Sequence, residues 1–350
     1  MGAFHAYDIR GIYNVDFDKY TAYKIGFFLP ELLKADKVLL GRDVRLSSDE
    51  IYDAVVEGVT DAGADVYDLG LSTTPMVYFA TARYGFDASI QITASHNAKE
   101  YNGMKVSRTN ALPVGFDTGL GEIKRWIEEG RQMKIEKEKG KVIKFDKRDD
   151  YLTFLNGYKE DYSNLKIGMD LSNGMAALFV KDIFGDQPLY ICDKMDGNFP
   201  NHEPNPLVEK NREDLKKLVL DNGCDVGVIY DGDADRVMFI DENGRFISPD
   251  LMIALLGHYF LEEKGEKGAV LQDIRSSKAV GEYLTPMGAE MHTWRVGRAF
   301  AAHKLRELNG VFGGELAGHY YFRDFYYSDS GILASLLILN VIAKLKNQGL

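Results

Sequence analysis

Three stretches of the sequence run through the same order of elements, and each carries a strand-like run into a polar, glycine-marked loop. Apolar strand-like runs alternating with amphipathic helical patterns are the signature of α/β layers, which place ligands beyond the carboxyl ends of their strands. In the first stretch Lys37–Leu40 reads as a strand, and Ser47–Ala62 as a helix with Ile51, Ala54, Val55, Val59 and Ala62 on one face. A strand at Val66–Leu69, a helix after Pro75 and a strand at Ala88–Thr93 follow, the last running into Ala94, Ser95, His96 and Asn97.

The second stretch reads as strands at Lys166–Asp170, Leu189–Ile191 and Val226–Tyr230, with helices near Met175–Phe184 and at Arg212–Asn222 between them. Its last strand empties into DGDADR, Asp231 to Arg236. The third reads as helices over Leu251–Glu263, near Lys278–Leu284 and up to Leu308, with strands at Ala269–Gln272, Glu290–Thr293 and Val311–Phe312. It ends on GGELAGH, Gly313 to His319, and a final helix covers Gly331–Lys346.

A length of 350 residues exceeds one ordinary core of about 100 to 200 residues, so several domains are expected. The joints fall in the charged segment Glu136–Asp150 and at the Asn243-Gly244 turn. The expected architecture is α/β: three similar domains, each a small mixed sheet flanked by helices, over 1–146, 147–246 and 247–350, around a shared cleft. The three polar loops would converge there.

A formal charge of -11 argues against a nucleic-acid surface, which needs clustered Lys and Arg, so an anionic ligand requires a local cationic pocket. The start of the chain carries neither a basic nor an apolar leader pattern, and its longest apolar stretch is broken by Ser335, Asn340 and Lys344. The two cysteines, Cys192 and Cys224, have no zinc or redox spacing. A cytoplasmic protein that neither spans a membrane nor binds nucleic acid is expected.

Asp231, Asp233 and Asp235 alternate on a tight loop, so three carboxylates can face one point, as Mg²⁺ requires. The spacing imitates the start of an EF-hand, but Arg236 stands where that loop needs glycine and Val237–Ile240 reads as a strand, which excludes a calcium site of that kind. Thr93 to Lys105 gathers a serine, a histidine, two amides and a lysine in one loop. Local sequence alone favours Ser95 as a cap or turn serine and His96 as a loop histidine bonded to backbone.

AYDIRG near the start, GRDVRLSS, TASHN followed by YNGMK, GNFPNHEPNPLVEKN, DGDADR and GGELAGH together resemble the phosphohexomutases, the phosphomannomutase and phosphoglucomutase family, over essentially the whole chain. The resemblance implies an enzyme interconverting hexose 6-phosphate and hexose 1-phosphate, of mannose or glucose, through a phosphoserine and a hexose 1,6-bisphosphate that also serves as activator. Ser95 looks like the phosphorylated serine, and Asp231, Asp233 and Asp235, with Ser95, like the ligands of one Mg²⁺. Glu315 and His319 resemble the sugar-recognition loop. Arg10 and Arg236 are candidates to hold phosphate oxygens, and His96 stands beside the serine. Lys105 is a candidate proton carrier if neighbouring cations and burial lower its pKa. Arg275, Arg295 and Arg298 are candidates for the non-transferring phosphate.

Departures from the family pattern are Ala98 in place of a proline, Ala317 in place of a serine hydroxyl, which costs on the order of 1 kcal/mol in sugar binding, and Arg298 in place of a histidine. A fourth domain usual in the family is not found after the helix Gly331–Lys346, which implies a fragment or a short form with weak turnover. A phosphoglucosamine mutase, a sugar-bisphosphate synthase and a non-catalytic Mg²⁺ and sugar-phosphate binder are the rival readings. Oligomeric state is not legible.

Overall fold

A computed structural model describes residues 2–350. Three mixed sheets lie in chain order, each with helices against it. The first has seven strands, in the order Ile9–Ile12, Tyr101–Arg108, Ala88–Ile92, Lys37–Arg42, Asp65–Leu71 and Val142–Lys144, with Leu112–Pro113 paired to the side of Tyr101–Arg108. The strand Tyr101–Arg108 is antiparallel to both its neighbours, whereas the other strands around Lys37–Arg42 are parallel.

That arrangement corrects one expectation. Lys105 does not sit on a loop: its backbone pairs with Gln91 in the middle of the sheet. The Asn, Gly and Lys content of this segment reads as a turn, but pairing on both sides decides its conformation, as tertiary context commonly does for strands. Two helices not anticipated, Lys19–Leu33 and Leu120–Glu128, cover this sheet. The first is capped by Asp18, whose carboxylate accepts from the Thr21 amide at 2.8 Å. It crosses Ser48–Asp61 so closely that a Cβ on Gly58 would collide with the Tyr23 carbonyl oxygen.

The second sheet runs Phe246–Ile247, Val237–Asp241, Val226–Tyr230, Ile167–Asp170 and Leu189–Ile191. Here the expected helix Met175–Phe184 is broken into a 3₁₀ turn, Met175–Leu178, and a short α-helix, Val180–Phe184, because Phe179 at the junction leaves helical geometry. The third sheet runs Ala289–Trp294, Gly268–Asp273, Phe312–Gly314, Tyr320–Phe322 and Ser328–Asp329. Its leading helix, Pro249–Gly257, loosens into π geometry over His258–Glu263.

The first sheet keeps one apolar core of its own, centred on Val38, Leu40, Ile90, Ile92 and Val106. Its other face joins a single large core that takes in both later sheets and the helix Gly331–Asn347. Phe79, Tyr151, Phe154 and Phe325 form one aromatic cluster across these layers, with ring centroids 5.2–5.6 Å apart for Phe79–Tyr151, Phe79–Phe154 and Phe154–Phe325. Each fully buried ring of this kind contributes roughly 1.5–3 kcal/mol. The helix Gly331–Asn347 is apolar because it lies inside this core, and among the described residues no helix is long and apolar enough to cross a membrane.

Candidate active site

The polar loops of the three sheets meet. Ser95 follows the strand Ala88–Ile92 and holds φ +51°, a left-handed conformation costly for a residue with a Cβ. Its amide donates to Thr93 Oγ1 at 2.9 Å, and its hydroxyl donates to Asp231 Oδ2 at 2.8 Å. Only 1% of Ser95 is exposed. The Asp231 turn approaches so closely that a side chain at position 232 would strike the Ser95 carbonyl oxygen, which accounts for Gly232.

Asp231, Asp233 and Asp235 follow the strand Val226–Tyr230 and are wholly buried. One oxygen from each lies within 4.8 Å of the others. Lys105 Nζ donates to Asp233 Oδ2 at 2.6 Å and to Asp235 Oδ2 at 2.5 Å, while Thr74 Oγ1 also donates to Asp233 Oδ2. Asp233 Oδ1 and Asp235 Oδ1 are buried with no hydrogen-bond partner. Unpaired carboxylate oxygens in a water-excluded place are costly unless a cation meets them, so these residues fit a hard divalent ion.

The electrostatics follow from this crowding. Burial, with Asp233 and Asp235 alongside, pushes the Asp231 carboxyl well above the usual range. Burial would raise Asp235 as well, but Lys105 and His319 outweigh it and hold its carboxyl low. Burial alone would lower Lys105, yet Asp233 and Asp235 reverse the sign and hold it as an ammonium. The lowering anticipated for Lys105 is therefore not found, because its nearest charges are anions. His96 goes the other way: burial and the charges of Arg236, Arg10 and Lys105 keep its ring neutral, with Nδ1 buried and unpartnered.

Arg10 Nη1 donates to Asn97 Oδ1 at 2.8 Å, and its other amino group pairs with Asp8. Arg236 lies 3.8 Å from Asp231 Oδ2 and 3.9 Å from Asp235 Oδ1, with Nε unbonded. The third loop joins through its backbone: Val237 donates to the Gly318 carbonyl at 3.2 Å, beside a bridge between Arg236 and His319. His319 Nδ1 is 2.5 Å from Asp329 Oδ2 and 3.8 Å from Asp235 Oδ1. Glu315 Oε1 accepts from Tyr321 Oη at 2.8 Å and from the Gly297 amide at 3.3 Å, and burial raises its carboxyl.

The three remaining arginines are not equivalent. Arg275 pairs with Asp273 at 2.7 Å, and Asp273 in turn accepts from the Leu316 amide of the Glu315 loop at 2.9 Å. Arg295 lies over the Phe300 ring. Arg298, its side chain 10% exposed, lies over Tyr78 of the first layer, 4.0 Å from its ring centroid, and its Nε donates to Asp329 Oδ1 at 3.2 Å. It secures the carboxylate that holds His319.

Sequence reasoning missed Arg45, which lies within the quoted GRDVRLSS segment. Its side chain is buried and donates to the backbone oxygens of Ser95 at 2.8 Å, Asn97 at 2.7 Å, Ala98 at 2.7 Å and Tyr101 at 3.1 Å, with Asp43 as counterion at 3.1 Å. One guanidinium thus shapes the whole serine loop. Thr74, Tyr321 and Asp329 were also missed. A second arginine three residues after Arg42, beside two serines, was the only signal for Arg45.

Against known proteins, the three layers match in order the family models described as phosphoglucomutase/phosphomannomutase alpha/beta/alpha domain I over residues 1–134, domain II over 149–244 and domain III over 248–349. Fold and site together are those of a mutase, an isomerase that relocates a group within one molecule. The chain is 37% identical to a phosphomannomutase of Escherichia coli K12, over 98% of its own length and 77% of that protein's. It is 37% identical to a phosphomannomutase of Vibrio cholerae with the same coverage. A crystal structure of a phosphoglucomutase/phosphomannomutase family protein from Burkholderia thailandensis superposes with a TM-score of 0.89 at 29% identity, covering 98% of this chain and 77% of that one. The chain belongs to the phosphoglucomutase/phosphomannomutase family.

Proposed function

We propose that this protein interconverts hexose 6-phosphate and hexose 1-phosphate, with Ser95 carrying the phosphoryl group. The observation that carries the reading is the buried Ser95 hydroxyl, held at strained backbone geometry 2.8 Å from Asp231 among three aspartates and Lys105. In this reading the Ser95–phosphate bond breaks as the oxygen of the free sugar hydroxyl bonds to phosphorus, and that hydroxyl's proton passes to the released Ser95 oxygen. The resulting hexose 1,6-bisphosphate turns around, and its other phosphate returns to Ser95. The same bisphosphate primes an unphosphorylated chain.

Asp231, Asp233 and Asp235 would hold Mg²⁺ beside Ser95, where the ion offsets negative charge on the phosphoryl group in transfer. Lys105 supplies a fixed positive charge, and Arg10 and Arg236 offer donors for phosphate oxygens. His96, kept neutral, offers a ring nitrogen without adding charge. Glu315 accepts from adjacent sugar hydroxyls, and His319, oriented by Asp329, completes the ring's seat. Arg275 and Arg295 remain assigned to the distal phosphate, whereas Arg298, walled in by Tyr78 and Asp329, is assigned to positioning His319. The domains are taken as 1–146, 147–246 and 247–350, so that each contributes one loop. The bacterial relatives named phosphomannomutase favour mannose phosphates.

Intact-mass spectrometry before and after incubation with glucose 1,6-bisphosphate and Mg²⁺ tests the carrier. The expected result is a gain of one phosphoryl group, absent in Ser95→Ala. A gain that survives in Ser95→Ala, or no gain in the parent chain, overturns the reading. Initial rates with mannose, glucose and glucosamine 6-phosphates rank the sugars.

A further inference from the structure

Asp170, Cys192 and His202 converge at the carboxyl ends of the second sheet's edge strand Leu189–Ile191 and its neighbour Ile167–Asp170, and play no part in the site above. Asp170 ends the strand Ile167–Asp170, where it pairs with Ile191 of the parallel strand Leu189–Ile191, and Cys192 follows directly. His202 returns on the loop that follows Cys192. One ligand-type atom from each lies within 4.8 Å of the others: His202 Nε2 is 3.0 Å from Asp170 Oδ2 and 3.7 Å from Cys192 Sγ.

The arrangement is not a nucleophilic relay. In such a relay the thiol and the carboxylate take opposite nitrogens of the imidazole. Here both face Nε2, while Nδ1 is 2.8 Å from the Glu203 carbonyl oxygen, to which it donates. A histidine whose second nitrogen is fixed on a carbonyl is oriented as metal-ligating histidines are.

We propose that Asp170, Cys192 and His202 bind a thiophilic divalent transition metal, with zinc the ion whose preferences they fit. Zinc ligands at about 2.0–2.3 Å in a tetrahedron stand about 3.3–3.8 Å apart; the 3.7 Å between His202 and Cys192 falls in that range, and the 3.0 Å between His202 and Asp170 lies just below it, so a small outward shift of the carboxylate seats the ion. Cys192 coordinates as its thiolate, the thiol proton passing to solvent. Cys192 also lines an open cleft of about 420 Å³, with Asn201, Asp214, Lys217 and Leu218 among its walls, through which an ion and water can reach the thiol. Sulfur and imidazole ligands separate this place from the all-oxygen aspartate turn, which suits Mg²⁺.

The ion would brace that turn from behind. Pro204, two residues past His202, lies where a Cβ on Gly232 would be 3.3 Å away, and Ser172 Oγ donates to the Tyr230 carbonyl at 2.6 Å. The loop carrying His202 is thus the backing of the loop that carries Asp231 to Asp235.

Cobalt titration of the full chain, after chelator and reductant treatment, reads the site out by the thiolate-to-cobalt charge-transfer band. The expected result is a band saturating at one equivalent, bleached by equimolar zinc, unmoved by excess Mg²⁺ and retained in Asp231→Asn. It should vanish in Cys192→Ser, whose sole remaining thiol, Cys224, is buried elsewhere, and fall in His202→Asn. Absence of the band in the unaltered chain overturns the proposal whether or not the variants fold. So does a band that persists in Cys192→Ser, that zinc fails to bleach, or that Mg²⁺ removes.

Discussion

Ser95 and Asp231 are 136 residues apart in sequence, on different sheets, yet a single 2.8 Å hydrogen bond joins them inside a water-excluded space. A bond of this kind to a carboxylate contributes about 1.5–3 kcal/mol. Asp231→Asn is therefore expected to slow phosphorylation of Ser95 by roughly ten- to a hundredfold, with the fold retained. Time-resolved intact-mass measurement with glucose 1,6-bisphosphate checks it.

Lys105 is the only ammonium bonded to Asp233 and Asp235 among the described residues. Removing one member of a buried ion pair costs about 3–5 kcal/mol, because the other charge stays behind. Lys105→Met should lower the thermal midpoint, and saturating Mg²⁺ should recover part of the loss. The diagnostic quantity is the rise in midpoint on adding Mg²⁺: it should be larger in Lys105→Met than in the parent, and an equal rise would contradict the assignment of the aspartates.

Arg45 makes four bonds to backbone oxygens of the serine loop, and lysine cannot reproduce that planar fork. Arg45→Lys is expected to lose about 2–4 kcal/mol of stability and to cut phosphoryl uptake more than tenfold at temperatures where the chain stays folded. Denaturant unfolding and uptake kinetics on the same sample separate the two effects.

A hydrogen bond far from the chemistry sets a pH signature. Tyr23 Oη donates to Asp61 Oδ2 at 2.9 Å and ties the helix Lys19–Leu33 to Ser48–Asp61. Burial and Asp61 push the Tyr23 phenol up from 10.0 to about 12, so its contribution is whole below pH 10 and disappears as pH rises through about 12. Burial would raise Asp61, but Lys139 and Tyr23 outweigh it and hold the carboxyl below 3.8. Its contribution is present above pH 3.8 and fades as pH falls through the lowered value. Tyr23→Phe should flatten the alkaline decline in thermal midpoint between pH 10 and 12 and reduce the acid decline; an unchanged profile would remove Tyr23 from the account.

The sheet-forming runs that end at Ala88–Ile92, Val226–Tyr230 and Phe312–Gly314 were legible because a continuous apolar run bounded by glycine and aspartate has few alternatives. The convergence of the aspartate triplet was legible in its spacing, whereas Ser95 reads locally as a turn serine and stands out only through the family resemblance. Tyr101–Lys105, the opening of the strand Tyr101–Arg108, reads as loop because YNGMK carries turn residues, and only the neighbours Ile9–Ile12 and Ala88–Ile92 make it a strand. The sign of the Lys105 shift and the enclosure of Arg298 depend on which charges stand opposite, and no local pattern contains that. Arg45 stayed hidden for the same reason, since its acceptors are carbonyls, which every residue has.

The ring cluster of Phe79, Tyr151, Phe154 and Phe325 bears on how such a chain can be rebuilt. Its members come from the helix Thr74–Tyr84, the helix Arg148–Asn156 and the turn Arg323–Phe325, so a cut between layers divides it. Transplanting the Glu315 loop region from a relative to alter sugar choice would carry Phe325 away from Tyr151 and Phe154. A chimera that respects only the sheet boundaries would inherit a mismatched seam, and the useful crossover is one that moves the aromatic quartet as a unit.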